Sequence, residues 1–343
     1  MQLPQRLPMP DGMSKEEIVK LLLTEEYGFL PAAREGIRVE IKSEEASFCA
    51  GKAVLKKLRL VCETRYGEFA FPVYYTCPTG KEEPVPCFVH INFRDLVPDR
   101  YQPTEELVDA GYAVLSFCYK DVTSDDGDFT DGLAGLVYPG GRREADQCGK
   151  IGLWAWAVMR VMDYAMTLPE LDHTHISVVG HSRLGKTALL AGALDERFFC
   201  AFSNDSGCSG AALSREKEGE SIRAITTVFP FWFCENYKKY VDKEGAQPFD
   251  QHFLLAANTP HRVYVASAAE DTWADPKNEF LSCVAASSYY KTQGLTGLVH
   301  TDELPVPGTF LGEGHIGYHM RAGRHYLSRE DWQYYIRYLN QCR

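Results

Sequence analysis

The sequence has few of the features that place a protein in a membrane or on a nucleic acid. It has no apolar run approaching the roughly 18 residues of a membrane span, and its first residues, MQLPQRLPMPDGMSKEE, contain no apolar core like that of a signal peptide. Runs of Lys and Arg never exceed a pair, and the formal net charge is −11, which argues against a surface that follows phosphate groups. We therefore expect a soluble, cytoplasmic protein that binds neither membranes nor nucleic acid.

Paired cysteines and metal-binding motifs are also missing. The chain has 11 cysteines and 10 histidines but neither a CxxC pair nor an HExxH motif, whereas the ligands of a zinc site usually cluster at short spacing. An odd number of scattered cysteines in a chain of this length is typical of buried thiols in a reducing compartment. We predict no metal, no other cofactor and no disulfide framework.

No internal repeat, low-complexity tract or linker rich in Pro, Gly or Ser divides the chain. Its apolar content of 45% allows it to bury a sizeable core. We therefore predict one domain over residues 1–343, with residues 1–35 as a helical N-terminal extension packed on it. Within that extension, Ser14 and Glu17 stand at capping-box spacing and predict a helix over residues 14–27. The oligomeric state stays open at this stage.

The remaining patterns indicate an α/β fold. Residues 36–76 alternate apolar and polar side chains, which predicts antiparallel strands with one face in water. Further along, buried apolar runs take turns with helical stretches, as in a mostly parallel central sheet covered on both faces. The predicted later strands are residues 87–93, 113–119, 176–179, 198–204, 262–268 and 316–321, and the predicted helices are residues 105–112, 143–166 and 328–342.

The segment GHSRLGKT, residues 180–187, fits two motifs of different chemistry. It satisfies the phosphate-loop pattern GxxxxGK[ST], and it nearly satisfies the nucleophile elbow GxSxG with Ser182 at the centre. A phosphate loop normally follows the first strand of its domain, whereas this segment follows several predicted strands. The position therefore favours a serine hydrolase over a P-loop NTPase.

The rest of a serine hydrolase site is present in the expected order. In α/β hydrolases the acid and then the histidine follow the nucleophile, at the ends of later strands. Asp271 comes just after the strand predicted at residues 262–268, and His325 lies between the last strand and the last helix. His315 and His319 are competing candidates for the base, and the position of His325 before the final helix favours it.

Several segments together resemble one known family. GHSRLGKTAL resembles the GCSRxGK or GHSRxGK elbow of the glucuronoyl esterases, carbohydrate esterase family 15, and of their bacterial acetyl-xylan-esterase-like relatives. The likeness continues through SNDSGCSGAALSR (203–215), FPFWFCENY (229–237), PFDQHFLLA (248–256), ASAAEDTWADP (266–276) and GYHMRAGRHYLSREDW (317–332), roughly half of the chain. The resemblance implies an α/β-hydrolase three-layer sandwich and a serine esterase that acts on a saccharide ester.

The resemblance also implies roles for individual residues. Ser182 would be the nucleophile, Arg183 would offer its backbone N–H and its guanidinium to the oxyanion, and Lys186 and Trp273 would contact the substrate, with the indole beside a sugar ring.

Two questions about the site stay open. Family members place the acid after either of two strands, and this chain has Asp205 at the first place and Asp271 at the second, with Asp271 slightly favoured. Fungal members carry a glutamine and a glutamate that hold the uronic acid, but this chain has Arg223 near the first position and no glutamate at the second. The expected substrate is therefore either a 4-O-methyl-glucuronoyl ester or an acetyl ester of xylan type. A general small-ester hydrolase, a P-loop NTPase and a catalytically silent binding module are the alternatives.

Overall fold

The computed structural model of the protein describes residues 2–342, and for residues 33–35 it describes the backbone alone. The described residues form one ten-stranded sheet with the strand order β1-β2-β3-β5-β4-β6-β7-β8-β10-β9. The strands are β1 (Ala33–Phe48), β2 (Ala53–Thr64), β3 (Gly67–Pro78), β4 (Val85–Asn92), β5 (Ala113–Cys118), β6 (Leu171–His181), β7 (Cys200–Asn204), β8 (Arg262–Ala268), β9 (Thr309–Leu311) and β10 (Ile316–Arg321).

The direction of the strands changes along this sheet. The pairs among β1, β2, β3 and β5 are antiparallel, whereas β5, β4, β6, β7, β8 and β10 pair in parallel, and β9 closes the far edge antiparallel to β10. The predicted mostly parallel sheet with antiparallel N-terminal strands is confirmed.

Helices cover both faces of the sheet. They are α1 (Lys15–Leu22), α2 (Thr104–Asp109), α3 (Gly132–Val137), α4 (Lys150–Ala165), α5 (Arg183–Leu194), α6 (Ile222–Val228), α7 (His252–Ala256), α8 (Pro276–Thr292) and α9 (Arg329–Gln341). In β4, Phe88 packs in the apolar cluster shared with α2 and α9, while its neighbour Val89 packs in the larger cluster shared with α4, α5 and α8. Both faces of the central strands are thus buried, which explains their continuous apolar runs.

The two longest of the described helices, α4 and α8, differ from the sequence prediction. The helix predicted at residues 143–166 begins at Lys150, because Gly149 is extended and lies against another chain segment, where a Cβ would come within 2.3 Å of the carbonyl oxygen of Trp232. No pattern in the sequence predicted α8. That helix is buried on most of its sides, including polar residues such as Asn278 and Glu279, so its sequence shows little of the amphipathic periodicity by which surface helices are found.

The N-terminal helix follows its predicted signals. The side chain of Ser14 accepts from the backbone of Glu17, and the reciprocal bond is present, so the capping box is formed. A single π-helical turn, Leu23–Tyr27, continues α1 and ends at Gly28, whose φ of 82° favours glycine. Within residues 2–342, none of the helices combines the length and the apolar character that crossing a bilayer requires.

Candidate active site

Ser182 occupies the sharp turn between the end of β6 and the start of α5. Its backbone has φ 58° and ψ −127°, a conformation in which few non-glycine residues are found. The turn is tight enough that a Cβ on Gly180 would lie 2.0 Å from the carbonyl oxygen of Leu184. A strained serine between a parallel strand and a helix is the geometry of a nucleophile elbow, and it presents the hydroxyl at the carboxyl edge of the sheet.

His325 and Asp271 form a hydrogen-bonded pair at the same edge. Nδ1 of His325, between β10 and α9, lies 2.6 Å from Oδ2 of Asp271, just after β8. Burial opposes ionisation of Asp271, but the hydrogen bond and charge of His325 outweigh it, so the pKa of the carboxyl lies below its usual value. Since an ionised carboxylate can only accept, Nδ1 carries the hydrogen, and in the neutral imidazole Nε2 is then the acceptor. This is the tautomer that a general base requires.

Asp205 lies beside this pair but has other partners. It follows β7 with φ 44°, and its Oδ1 accepts the backbone N–H of Ala268 at 2.7 Å. Its Oδ2 accepts from Arg321 and from the backbone N–H of Tyr326, each at 3.3 Å. Burial raises the pKa of Asp205, while the Arg321 guanidinium acts in the opposite direction. Asp205 therefore holds the loop that carries His325, and Asp271 holds the imidazole itself.

Asp205, Asp271 and His325 each place a possible metal-ligand atom within 4.8 Å of the other two. Among the described residues, this is the one cluster whose side chains could hold a metal ion. Both oxygens of Asp205 already accept protein hydrogen bonds, however. The expected independence from metals stays a prediction.

A cavity of about 350 Å³ opens over these groups. Its lining includes Ser182, Arg183, Lys186, Asp205, Asp271, Trp273 and His325, together with Glu220, Phe229 and Trp232. Of the eight site residues that the sequence favoured, the structure thus brings seven to one cavity. The exception is Arg223, whose exposed guanidinium pairs with Asp242 instead.

Trp273 and Lys186, the two candidates for substrate contact, differ in exposure and in hydrogen bonding. Trp273 is 56% exposed and offers an open indole face at the cavity. Lys186 is buried, and its Nζ donates to the carbonyl oxygens of Ser206 and of Cys208, the latter at 2.6 Å. Burial lowers the pKa of this ammonium group. In this structure the hydrogen bonds of Lys186 stabilise the backbone of the cavity wall, while the indole of Trp273 remains available to a ligand.

The two other candidate bases lie away from the cavity. His319 is fully buried within β10, where Nε2 donates to Asp331 at 2.9 Å and Nδ1 accepts from Tyr264 at 3.0 Å. His315 bonds through Nδ1 to the carbonyl oxygen of Thr296. Neither histidine lines the cavity of Ser182.

Two residues near the site were missed by the sequence analysis. The ring of His181 lies 4.4 Å from that of His325, and burial lowers its pKa to about 3, so it packs against the base as a neutral ring. Its place beside Ser182 in the motif was the available signal. Asp125 pairs with Arg183 from a loop far away in the chain, and no local pattern marked it.

Comparison with known proteins gives a consistent set of relatives. A family model described as fungal glucuronyl esterase matches residues 62–294. A carbohydrate esterase, MZ0003, from an unknown prokaryotic organism is 33% identical over 98% of this chain and 89% of its own length. The 4-O-methyl-glucuronoyl methylesterase of Hypocrea jecorina is 26% identical over 70% of this chain and 51% of its own length.

Solved structures agree with these sequences. A promiscuous esterase of carbohydrate esterase family 15 from a marine bacterial metagenome superposes with a TM-score of 0.85 at 31% identity, over 99% of this chain and 96% of its own. A glucuronoyl esterase from Solibacter usitatus superposes with a TM-score of 0.89 at 30% identity, over 99% of this chain and 97% of its own.

Proposed function

Because this chain belongs to the glucuronoyl esterase family, carbohydrate esterase family 15, and is a carboxylic ester hydrolase with the α/β-hydrolase fold, we propose that it cleaves a 4-O-methyl-glucuronoyl ester on a plant-polysaccharide fragment by serine catalysis. The observation that carries the mechanism is the convergence of a strained elbow serine and a His325–Asp271 pair on one cavity. The uronoyl substrate is supported by the names of relatives, several of which are 4-O-methyl-glucuronoyl methylesterases.

In the proposed reaction, Oγ of Ser182 attacks the ester carbonyl while Nε2 of His325 takes the hydroxyl proton. The imidazolium that forms is stabilised by the carboxylate of Asp271. It then passes the proton to the departing alcohol, which leaves an acyl group on Ser182. Water activated by His325 attacks this acyl-enzyme, and the acid product and the free serine are released.

The oxyanion formed in each attack needs donors beside Ser182. In the first turn of α5 the N–H of Gly185 donates to the carbonyl oxygen of Ser182 at 2.8 Å, so the backbone N–H of Arg183, the first residue of the helix, is the backbone candidate. The Nε–H of Arg183 is buried and has no hydrogen-bond partner among the described residues. The Arg183 cation with its unpartnered Nε–H would stabilise the developing negative charge, which is usually the largest contribution in acyl transfer.

An acetyl ester of xylan type is the second candidate substrate. It is supported by the absence of the glutamate that the fungal enzymes carry near their uronic-acid subsite, and one structural relative is described as promiscuous. With either acyl group, the exposed indole of Trp273 would stack on the sugar.

The two substrates can be distinguished by initial rates on methyl and benzyl glucuronoyl esters and on acetylated xylo-oligosaccharides. Ser182→Ala is the inactive control. We expect the higher kcat/KM on the glucuronoyl esters and only a trace of activity in the folded variant. A higher kcat/KM on the acetylated oligosaccharides would overturn the acyl assignment, and activity retained by Ser182→Ala would overturn the serine mechanism.

A further inference from the structure

The side chain of Asp125 bonds to residues from three segments around the active site. Its carboxylate pairs with Nη1 of Arg183, accepts from Nε1 of Trp232 at 2.7 Å, and accepts from the hydroxyl of Tyr119 at 2.9 Å. The first two partners lie 58 and 107 residues away in the chain, and both line the cavity of Ser182. The side chain of Asp125 is only 6% exposed, so these charge-assisted bonds have little competition from water.

The contacts of Arg183 show what this pairing does. Its guanidinium lies over the rings of Trp232 and Phe229, at 4.7 and 5.3 Å from their centroids. The two rings stack on each other at 3.8 Å with almost parallel planes. Arginine has many rotamers, and stacking alone would let the group slide along the rings. The paired carboxylate holds it at one point, with Nε unpartnered next to the elbow.

The loop that carries Asp125 is closed around a buried cation. Lys150, at the start of α4, is fully buried, and its Nζ donates to the hydroxyls of Thr123 and Ser124 at 2.7 and 3.2 Å. It also donates to the carbonyl oxygen of Asp128 and lies 3.4 Å from a carboxylate oxygen of Asp131. The ammonium group offsets the charge of an acidic loop and keeps it folded inwards.

We propose that Asp125 is a positioning residue, which fixes Arg183 relative to Ser182 without touching the substrate. The proposal rests on the proposed role of Arg183 as an oxyanion donor. Displacing a catalytic group by about 1 Å can lower the rate about 10²-fold, so the loss of the carboxylate should lower kcat more than it raises KM.

A double-mutant cycle tests whether Asp125 acts through Arg183. We expect Asp125→Asn to lower kcat roughly 10- to 100-fold in the native background and to change it little in the Arg183→Ala background. Asp126→Asn is the matched control, because among the described residues this exposed carboxylate bonds only within the same loop. Its kcat should equal that of the native protein. An unchanged kcat in Asp125→Asn, or the same factor in both backgrounds, would overturn the proposal.

A rescue experiment covers the case in which Asp125→Asn is less stable. Millimolar guanidinium should restore part of the activity of Arg183→Ala, because the carboxylate of Asp125 can bind the added ion where the side chain of Arg183 was. It should restore no activity in the double variant that also carries Asp125→Asn. Equal rescue in both would overturn the proposal. A native kcat in Arg183→Ala would contradict both the role of Arg183 as an oxyanion donor and the role of Asp125 as its positioning residue. If ester hydrolysis then still depends on Ser182, the proposed serine reaction itself stands.

Discussion

Asp205 and Asp271 follow the adjacent strands β7 and β8, and yet they hold different groups. Asp271 bonds to the ring of His325, whereas Asp205 bonds to two backbone N–H groups and to Arg321. The oxygens of Asp205, Asp271 and Nδ1 or Nε2 of His325 remain within 4.8 Å of one another. A small rotation of the imidazole would therefore bring either carboxylate within reach.

We expect the two carboxylates to be partly redundant. Asp271→Asn should lower kcat by the larger factor because it removes the present partner of His325, and Asp205→Asn should also leave measurable activity. The double variant should fall to the level set by the oxyanion donors and binding, since losing a sole orienting acid can cost on the order of 10⁴ in kcat. The measurement is kcat for all three variants on one activated ester. If one single variant already matches the double variant and the other is unaffected, the carboxylates do not share this task.

The two histidines of this region should respond differently to replacement. His325→Ala should abolish turnover with little loss of stability, because the side chain is 44% exposed. His319→Ala removes a fully buried ring and its bonds to Asp331 and Tyr264, so it should lower the free energy of unfolding by roughly 2–4 kcal/mol. Denaturant unfolding and kcat per folded molecule separate the two effects. Near-total loss of kcat in folded His319→Ala, with an active His325→Ala, would reverse the assignment.

At the scale of elements, the elbow depends on the close approach of β6 and α5. A Cβ at position 180 would meet the carbonyl group of Leu184, with its oxygen at 2.0 Å and its carbon at 2.4 Å. These are backbone atoms in the first turn of α5, so they can move only if the helix moves and displaces Ser182.

We therefore expect Gly180→Ala to lower kcat at least 100-fold and to destabilise the fold by roughly 1–3 kcal/mol. Gly245→Ala is the control, because a Cβ there would meet nothing within 4 Å. Activity and denaturant unfolding of both variants provide the comparison. A Gly180→Ala protein with native kcat would show that the elbow tolerates the displacement.

The elements themselves differ in how far local sequence determines them. The bounds of β8 and β10 agree with the prediction at residues 262–268 and 316–321. Residues 263–266 of β8 form a short apolar run, and the apolar residues Ile316, Tyr318 and Met320 of β10 alternate along that strand, so both local patterns indicate a strand. The start of α4 was wrong and α8 was missed. In both cases the deciding contacts come from other segments: the backbone of Trp232 against Gly149, and the burial of polar α8 residues such as Glu279, which accepts from Ser267 and from the backbone of Gly207.

On the scale of the whole molecule, the N-terminal segment is joined to the domain through a buried acid. Glu26 is fully buried, its carboxyl oxygens accept from Nε2 of Gln251 at 3.1 Å, and its carbonyl oxygen accepts from the backbone of Cys234 at 2.9 Å. Burial raises its pKa to about 8, and the nearby charge of Asp250 adds to the effect.

This pKa makes stability depend on pH. Between the ordinary carboxyl pKa of 4.5 and about 8, the folded state holds a proton on Glu26 that the unfolded state has lost. The contribution of Glu26 to the free energy of unfolding must therefore fall as the pH rises through this window and stay constant above it.

Glu26→Gln removes this titration. We expect its stability relative to the native protein to rise between pH 5 and pH 8, by roughly 2–4 kcal/mol. Thermal or urea unfolding at several pH values measures the difference, with the exposed Glu83→Gln as the control. Native and Glu26→Gln curves that stay parallel from pH 5 to pH 8 would contradict the raised pKa.

Local sequence patterns are enough to predict the α/β alternation, the elbow at Ser182 and the chain order of serine, acid and histidine. These features rest on apolar periodicity and on short motifs, which depend on residues close together in the chain. Resemblance to one family added Arg183, Lys186 and Trp273, and all three line the cavity.

Four features of the site follow from the folded chain alone. Asp271 is the acid bonded to His325, Asp125 pairs with Arg183, His181 packs against the base, and Arg223 lies outside the cavity. The contacts of His325 and Arg183 join side chains that are 54 and 58 residues apart. Their geometry depends on how the loops leave the sheet and which way each side chain turns, and no local pattern contains that information.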